Sequence, residues 1–382
     1  MNLRKLIMLP GPTNVPDRVM VAMLNPVMGH RTPEFGVLMK GILDKSKQVF
    51  QTSCDVIVLT ASGTGGVEAA ITNIVKQGDK AVVAVYGEFG ERAADLVKGS
   101  GAEAIKVESH YGDTPKIDQL EEAFEKNPKA KALVIVANET STGCSFKQLK
   151  QAGDLAAKYG AYFIIDAVSN LGGEDVPFDK IGADVVATGS QKCLAAPPGL
   201  AMVAISEKAK KYITANPPAL LYYNIPRYLK YAKELQTPFT PALPLYHALD
   251  EGLNMVLEEG LQQRIKRHTM CADAFYSGFK AMGLELFAKE AARSNTVIAV
   301  NYPKGTDDKQ FRGTLDRDHR VVVAGGFGEY KGKVFRVGSM GEVSRYHVLT
   351  TISAVNQTLK ELSGQVNNKD PAEVAKAKLA GL

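Results

Sequence analysis

KALVIVANETSTGCSFKQLKQAGDLAAKYGAYFIID, residues 131–166, carries the pattern that decides the fold. Two short runs, KALVIVAN (131–138) and AYFIID (161–166), are apolar and largely β-branched or aromatic. Strands with this texture are buried on both faces. Between them FKQLKQAGDLAAKYG (146–160) is amphipathic, the pattern of a helix lying on a sheet. Strand, helix and strand make a crossover. Crossovers join parallel strands and are right-handed almost without exception.

The alternation extends in both directions. DVIVLT (55–60), KAVVAVY (80–86), AEAIKVES (102–109), ADVVATGS (183–190) and LAMVAIS (200–206) read as further strands. VEAAITNIVKQ, ERAADLVKG and IDQLEEAFEK read as the helices between them. The expected fold class is α/β, with a mostly parallel, doubly wound sheet. After residue 207 the texture changes. Residues 214–246 are rich in proline and tyrosine and read as a loop-rich connection. Residues 245–283 read as one long helical stretch. NTVIAVNYP (295–303), HRVVVAGGF (319–327) and KVFRVGS (333–339) read as strands of a second, smaller sheet, closed by the helix YHVLTTISAVNQTLKEL (346–362). Asp370-Pro371 reads as an N-cap followed by proline at the first position of a terminal helix. The expected organisation is an N-terminal arm (1–15), a large α/β domain (16–260) and a smaller α+β domain (261–382).

Composition narrows the function. The chain has 382 residues, 45% apolar and 23% charged, with a net charge of +5. That surplus is small for the length and no basic block accompanies it, so neither nucleic acid nor an anionic membrane is an expected partner. Cys54, Cys144, Cys193 and Cys271 lie far apart, which speaks against a zinc cluster or a disulfide framework and fits a reducing compartment. The run LIML before Pro10 is short for a signal peptide, and no apolar run reaches the ~18 residues of a membrane span. The expectation is a cytoplasmic protein.

Four features carry chemistry. Ala61-Ser62-Gly63-Thr64-Gly65-Gly66 joins a strand to a helix. Free N–H groups at such a helix start, with the Ser62 and Thr64 hydroxyls, make a cradle for phosphate or carboxylate. The turn matches neither of the common nucleotide-binding motifs, and it would equally serve as a plain connection. Asp166 ends the strand AYFIID, where ligands of open α/β sheets bind, although a helix cap or a surface carboxylate also fits that place. Lys192 lies in a short polar island between two apolar strands. Burial there would lower its pKa and free the amine as a nucleophile; the alternative is a lysine that reaches out to solvent. Arg336 stands among apolar residues in KVFRVGS and calls for an anionic partner, either a ligand carboxylate or an internal Asp or Glu. Together these are the parts of a pyridoxal phosphate enzyme: a cradle for the phosphate, an Asp for the ring nitrogen, a lysine that holds the cofactor as an imine, and an Arg for an amino-acid carboxylate.

PGPTNVP (10–16), GHR (29–31), ASGTGGVEAAITN (61–73), YGEFGERA (86–93), ETSTG (139–143), DAVSNLGG (166–173), GSQKCLAAPPGL (189–200) and FRVGSMGEV (335–343) extend the pattern over nearly the whole chain. With these marks it resembles the class V aminotransferases of pyridoxal phosphate (PLP) fold type I, and within them the alanine/serine–glyoxylate (serine–pyruvate) group. The resemblance implies that Lys192 and Asp166 are the catalytic pair. It implies that Val168 packs on one face of the cofactor ring and Phe89, where the family often has Trp, on the other. Thr140 would reach the ring hydroxyl, and Ser62, Gly63, Thr64 and Gln191 would hold the phosphate. Thr240, assisted by Thr237, would reach the phosphate of a neighbouring subunit, so that a homodimer shares its active sites. Arg336 would bind the substrate carboxylate, with the backbone of Gly11 nearby and Asn170 where many relatives have Ser.

The implied reaction is transamination from alanine or serine to glyoxylate or pyruvate. Related donors (phosphoserine, aspartate, ureidoglycine, aminoethylphosphonate) stay open. Desulfuration and lyase chemistry share the fold, but Phe89 stands where desulfurases generally carry a histidine, and no glycine-rich loop carries a cysteine. A non-catalytic binding protein on the same fold would be expected to lack Lys192 or Asp166, and both are present.

Overall fold

The computed structural model describes residues 5–363 and 370–382. Seven strands, β1 (Asp55–Leu59), β2 (Lys80–Val85), β3 (Glu103–Glu108), β4 (Ala132–Val136), β5 (Tyr162–Asp166), β6 (Val185–Gly189) and β7 (Ala201–Ile205), form one sheet. Their order is β1-β7-β6-β5-β4-β2-β3. β2 to β6 pair in parallel, and β7 runs antiparallel to both β1 and β6. The carboxyl ends of β1 and of β2 to β6 therefore lie along one edge.

Burial on both faces explains the near-continuous apolar runs. In β1, Val56 and Val58 face a core containing Phe35, Phe50 and Phe163, while Ile57 and Leu59 face one containing Ile71, Val83 and Ile164. β3 is the edge strand, and only Val107 of it is buried. Helices α1 (Pro33–Phe50), α2 (Gly63–Ile74), α3 (Glu88–Gly99) and α4 (Leu149–Lys158) cover the sheet, α2 lying across β5, β6 and β7.

The segment expected to be loop-rich holds a helix, α5 (Ile225–Lys233). Asn224 caps it by accepting from the Arg227 N–H, and Pro226 sits in the first turn, where its missing N–H costs nothing. The single helical stretch expected over 245–283 is two helices, α6 (Leu243–Glu259) and α7 (Leu261–Ala281). They part at Gly260, whose φ of +83° no helical residue adopts.

A second core is built on Phe275, Phe279, Phe311, Phe335 and Ile352. Its sheet has β8 (Val297–Asn301), β9 (Ala324–Gly325) and β10 (Val334–Gly338) in the antiparallel order β8-β10-β9. The strand expected over 319–327 is two pieces. Val321–Val322 pairs in parallel with Leu6–Ile7 of the N-terminal segment, and only β9 joins the sheet. The N-terminal chain then runs past Gly338, whose N–H donates to Met8 O, to Thr13, whose N–H donates to Gln191 O. α8 (Arg345–Ser363) and α9 (Pro371–Lys378) pack against α7. Asp370 caps α9 by accepting from the Ala372 N–H, with Pro371 in the first turn.

Candidate active site

The carboxyl-end turns after β1, β2, β4, β5 and β6 converge on a pocket enclosing about 610 Å³, part of it open to solvent. Ser62, Gly63, Thr64, Phe89, Thr140, Asp166, Val168, Gln191 and Lys192 all line it. Residues up to 130 positions apart meet there because each follows a strand of the same sheet.

The glycine-rich turn is the first turn of α2. Ser62 is the N-cap residue, in extended conformation, yet its hydroxyl does not cap the helix. The hydroxyl and the first N–H groups stay available at the positive end of the helix. The glycines are also demanded by packing: a Cβ on Gly63 would stand 2.8 Å from both Cγ atoms of Val168. The Gln191 amide oxygen is buried with no partner in the protein.

Asp166 ends β5, and one of its oxygens accepts from the Val168 N–H at 2.9 Å. Burial raises its carboxyl to about 6. That hydrogen bond and the cations Lys192 and Arg92 pull the other way. Lys192 follows β6 and is half-buried, and its Nζ donates to the carbonyl of Pro10. Burial lowers its ammonium to about 8; Arg336 and Arg92 act in the same direction, Cys193 and Asp166 against it. The neighbouring Cys193 is buried and its thiol is pushed up to about 12, which leaves it an unreactive filler.

Arg336 is 6% exposed on β10. Its Nε donates to Gly325 O and its Nη1 to Thr140 O, each at 2.9 Å. Among the described residues no carboxylate pairs with it within 4.0 Å, so it is not the internal ion pair that the sequence left open. Thr140, the residue it grips, is itself part of the pocket wall.

Five expected site residues do not line this pocket: Arg336, which reaches its wall through Thr140, Gly11, which lies against Lys192, and Asn170, Thr237 and Thr240. Asn170 is buried, with its amide donating to Glu174 at 3.3 Å. Thr237 is buried, with its hydroxyl donating to Phe239 O at 2.8 Å, and Thr240 is exposed.

Two pocket-shaping residues escaped the sequence reading. Arg92 follows Phe89 by three positions on α3; its Cζ lies 4.6 Å from the Phe89 ring centroid, and Nη1 reaches the Thr64 hydroxyl at 3.4 Å. The i, i+3 spacing within YGEFGERA was the available signal. Glu139 is wholly buried and accepts from the N–H groups of Phe89, Gly90 and Ser141. It thereby caps α3 from a distant turn and fixes the helix start that carries Phe89. Burial raises its carboxyl, and these hydrogen bonds oppose the rise. No local spacing announces a cap supplied from 50 residues away.

A sheet of this order, with an aspartate and a lysine at neighbouring strand ends beside a glycine-opened helix, defines a pyridoxal phosphate-dependent transferase of fold type I. The family model described as aminotransferase class-V matches residues 10–330, and the chain belongs to that family of PLP-dependent aminotransferases. An uncharacterised aminotransferase of Methanocaldococcus jannaschii is 45% identical over 98% of this chain and 97% of its own length. The alanine–glyoxylate aminotransferase of Drosophila melanogaster is 34% identical over 88% of each. The crystal structure of the ureidoglycine–glyoxylate aminotransferase of Bacillus subtilis superposes with a TM-score of 0.94 at 28% identity, covering 100% of this chain and 99% of that one. Among the described residues there is no cluster of three or more potential metal ligands and no helix long and apolar enough to cross a membrane.

The residues present fit the cofactor. Ser62 offers a hydroxyl not used for capping beside the free N–H groups at the start of α2, and Gly63 an approach that a Cβ would close.

Proposed function

We propose that the protein transfers the amino group of a small amino acid, alanine or serine, to a small 2-oxo acid, glyoxylate or pyruvate. The observation that carries this reading is Arg336, a buried guanidinium without a carboxylate partner, bound through Thr140 to the pocket wall. Amino acid and oxo acid share one feature, the α-carboxylate, and a guanidinium fork suits it. Two named relatives support glyoxylate as acceptor.

In this reading Lys192 would hold the cofactor covalently, Asp166 would pair with its ring nitrogen, and Phe89 and Val168 would flank the ring. Thr140 would meet the ring hydroxyl, and Ser62, Gly63, Thr64 and Gln191 would hold the phosphate. When bound, PLP supplies an electron sink that makes the substrate Cα–H acidic. The chain supplies the rest. With its ammonium lowered to about 8, Lys192, once freed by the incoming amine, would take the proton from the substrate Cα as general base and deliver it, as general acid, to the cofactor side rather than back to Cα, near neutral pH. Asp166, at about 6, is ionised at pH 7 and offers a negative charge to a cationic ring. Arg336 orients the carboxylate, with Gly11 beside Lys192 on the substrate side.

The reading includes a cytoplasmic homodimer with shared sites. Four free cysteines, three of them buried, support the reducing compartment. The buried, high-pKa Cys193 speaks against cysteine-based desulfuration beside the lysine.

A half-reaction screen tests the donor. Each amino acid is mixed with the PLP-loaded protein and the change in the cofactor's absorbance is followed. Alanine and serine should react fastest. Faster reaction with phosphoserine, aspartate or another donor bearing a second anion overturns the assignment.

A further inference from the structure

Arg336 uses two of its five N–H groups on the protein, Nε on Gly325 O and one of Nη1 on Thr140 O. The Nε side is thereby closed to a carboxylate. One flat face is closed too, because the centroid of the Phe327 ring stands 4.4 Å from Cζ. Phe327 follows β9 and reaches toward the large sheet, where its ring meets Phe89 edge-on, with centroids 6.2 Å apart and planes at 87°. Phe327 thus stands between the buried cation and the aromatic wall of the pocket.

Its own burial does not explain this placement, since Phe327 remains 40% exposed. The backbone around it is constrained. A Cβ on Gly326 would collide with Tyr330 O, and Gly328, at φ +48°, has the Glu88 carboxylate where its Cβ would be. The ring is therefore set by the turn and held by contacts to a guanidinium and to Phe89.

We propose that Phe327 is a positioning residue for the transfer reaction: its ring fixes the plane of Arg336 and so aims the N–H groups that Gly325 O and Thr140 O leave unused, those of Nη2 and the second of Nη1, at a substrate carboxylate. A carboxylate, with two oxygens, can accept from more than one of these N–H groups. The ring also keeps water from one face of the cation. This inference rests on the reading of Arg336 as the carboxylate site.

The test compares Phe327→Ala, Phe327→Leu, Phe327→Tyr and Arg336→Ala in the PLP-loaded enzyme with alanine and glyoxylate. In parallel, binding of propionate to each protein is followed by calorimetry. Phe327→Ala should raise both KM values by roughly 3- to 30-fold, the range a cation–π contact to a desolvated cation supplies, and raise them more than it lowers kcat. Propionate affinity should fall in step. Phe327→Tyr, which keeps an aromatic face, should restore both. Phe327→Leu, which keeps only apolar bulk, should not. Full restoration by leucine overturns the role, since simple packing would then suffice. Unchanged KM and propionate binding in Phe327→Ala, with both impaired in Arg336→Ala, overturns the role of Phe327 alone. No effect of Arg336→Ala overturns the carboxylate-site reading and this inference with it.

Discussion

The side chain of Lys192 lies directly against the backbone of Gly11: a Cβ on Gly11 would stand 2.6 Å from both Cε and Nζ. Gly11 also sits at φ +95°, a conformation that costs side-chain-bearing residues on the order of 1–3 kcal/mol. The N-terminal segment can reach the amine because this position is glycine. Gly11→Ala should therefore displace the lysine more than it unfolds the protein. The expected outcome is a kcat at least about tenfold lower and weaker PLP uptake by absorbance titration, since a misplaced catalytic group costs up to ~100-fold. Wild-type kcat and uptake would show that the arm does not constrain Lys192.

The Asp166 carboxyl stands at about 6 in the folded protein against an ordinary 3.8. Between those values the native state without cofactor holds more protons than the unfolded state, so this group's contribution to stability falls as pH rises from about 4 to 6 and is level above. The difference corresponds to about 3 kcal/mol. Asp166→Asn cannot ionise. The cofactor-free variant should match wild type near pH 4 and exceed it by up to that amount above pH 6, in urea unfolding midpoints measured across the range. A difference independent of pH would contradict the burial of this carboxylate. With PLP bound, the same variant should lose activity if Asp166 holds the proposed place opposite the ring nitrogen, because that charge is gone.

Arg336→Ala should raise KM for the amino acid and the oxo acid alike. A charge-assisted hydrogen bond contributes ~1.5–3 kcal/mol, so roughly 10- to 150-fold is expected. The loss also strands Gly325 O and Thr140 O, which Arg336 now satisfies. Steady-state kinetics with both substrates decide it: a KM raised for only one of them would place the shared carboxylate contact elsewhere.

Much of this site was legible because it rests on strand ends. A buried strand announces itself by a β-branched run, and the residue that ends the run marks the ligand edge; Asp166 closing YFIID is the clearest case. Lys192 was legible as a polar island between two such runs. What the sequence did not disclose depends on partners distant along the chain. Arg336 could have met an internal carboxylate, and only the fold shows Gly325 O and Thr140 O in that place. Asn170 looked available to substrate, but Glu174, four residues on, takes its amide. The pairing of Leu6–Ile7 with Val321–Val322 leaves no trace in either segment. The helix Ile225–Lys233 was legible in principle, since Asn224 and Pro226 are a cap and a first-turn proline, but the surrounding prolines masked its period.

The shared-site homodimer is the remaining prediction. Thr240 is exposed and faces no pocket of its own chain's site, while Thr237 behind it is tied to Phe239 O and stiffens the turn. Met20, Val21, Leu24, Val27 and Val37 expose apolar side chains within a short stretch of chain, a pattern that marks association surfaces. A two-fold contact would place two such turns symmetrically, one over each cofactor phosphate. Thr240→Ala should then weaken PLP binding without moving the unfolding midpoint of the cofactor-free protein. The decisive experiment mixes two inactive proteins, Lys192→Ala and a variant disrupted across 237–241. In a mixed dimer, the intact lysine of one subunit meets the intact turn of the other. Each mixed dimer should recover one working site of two. Proven subunit exchange with no return of activity, or sedimentation of the wild type as a fully active monomer, would overturn the shared site.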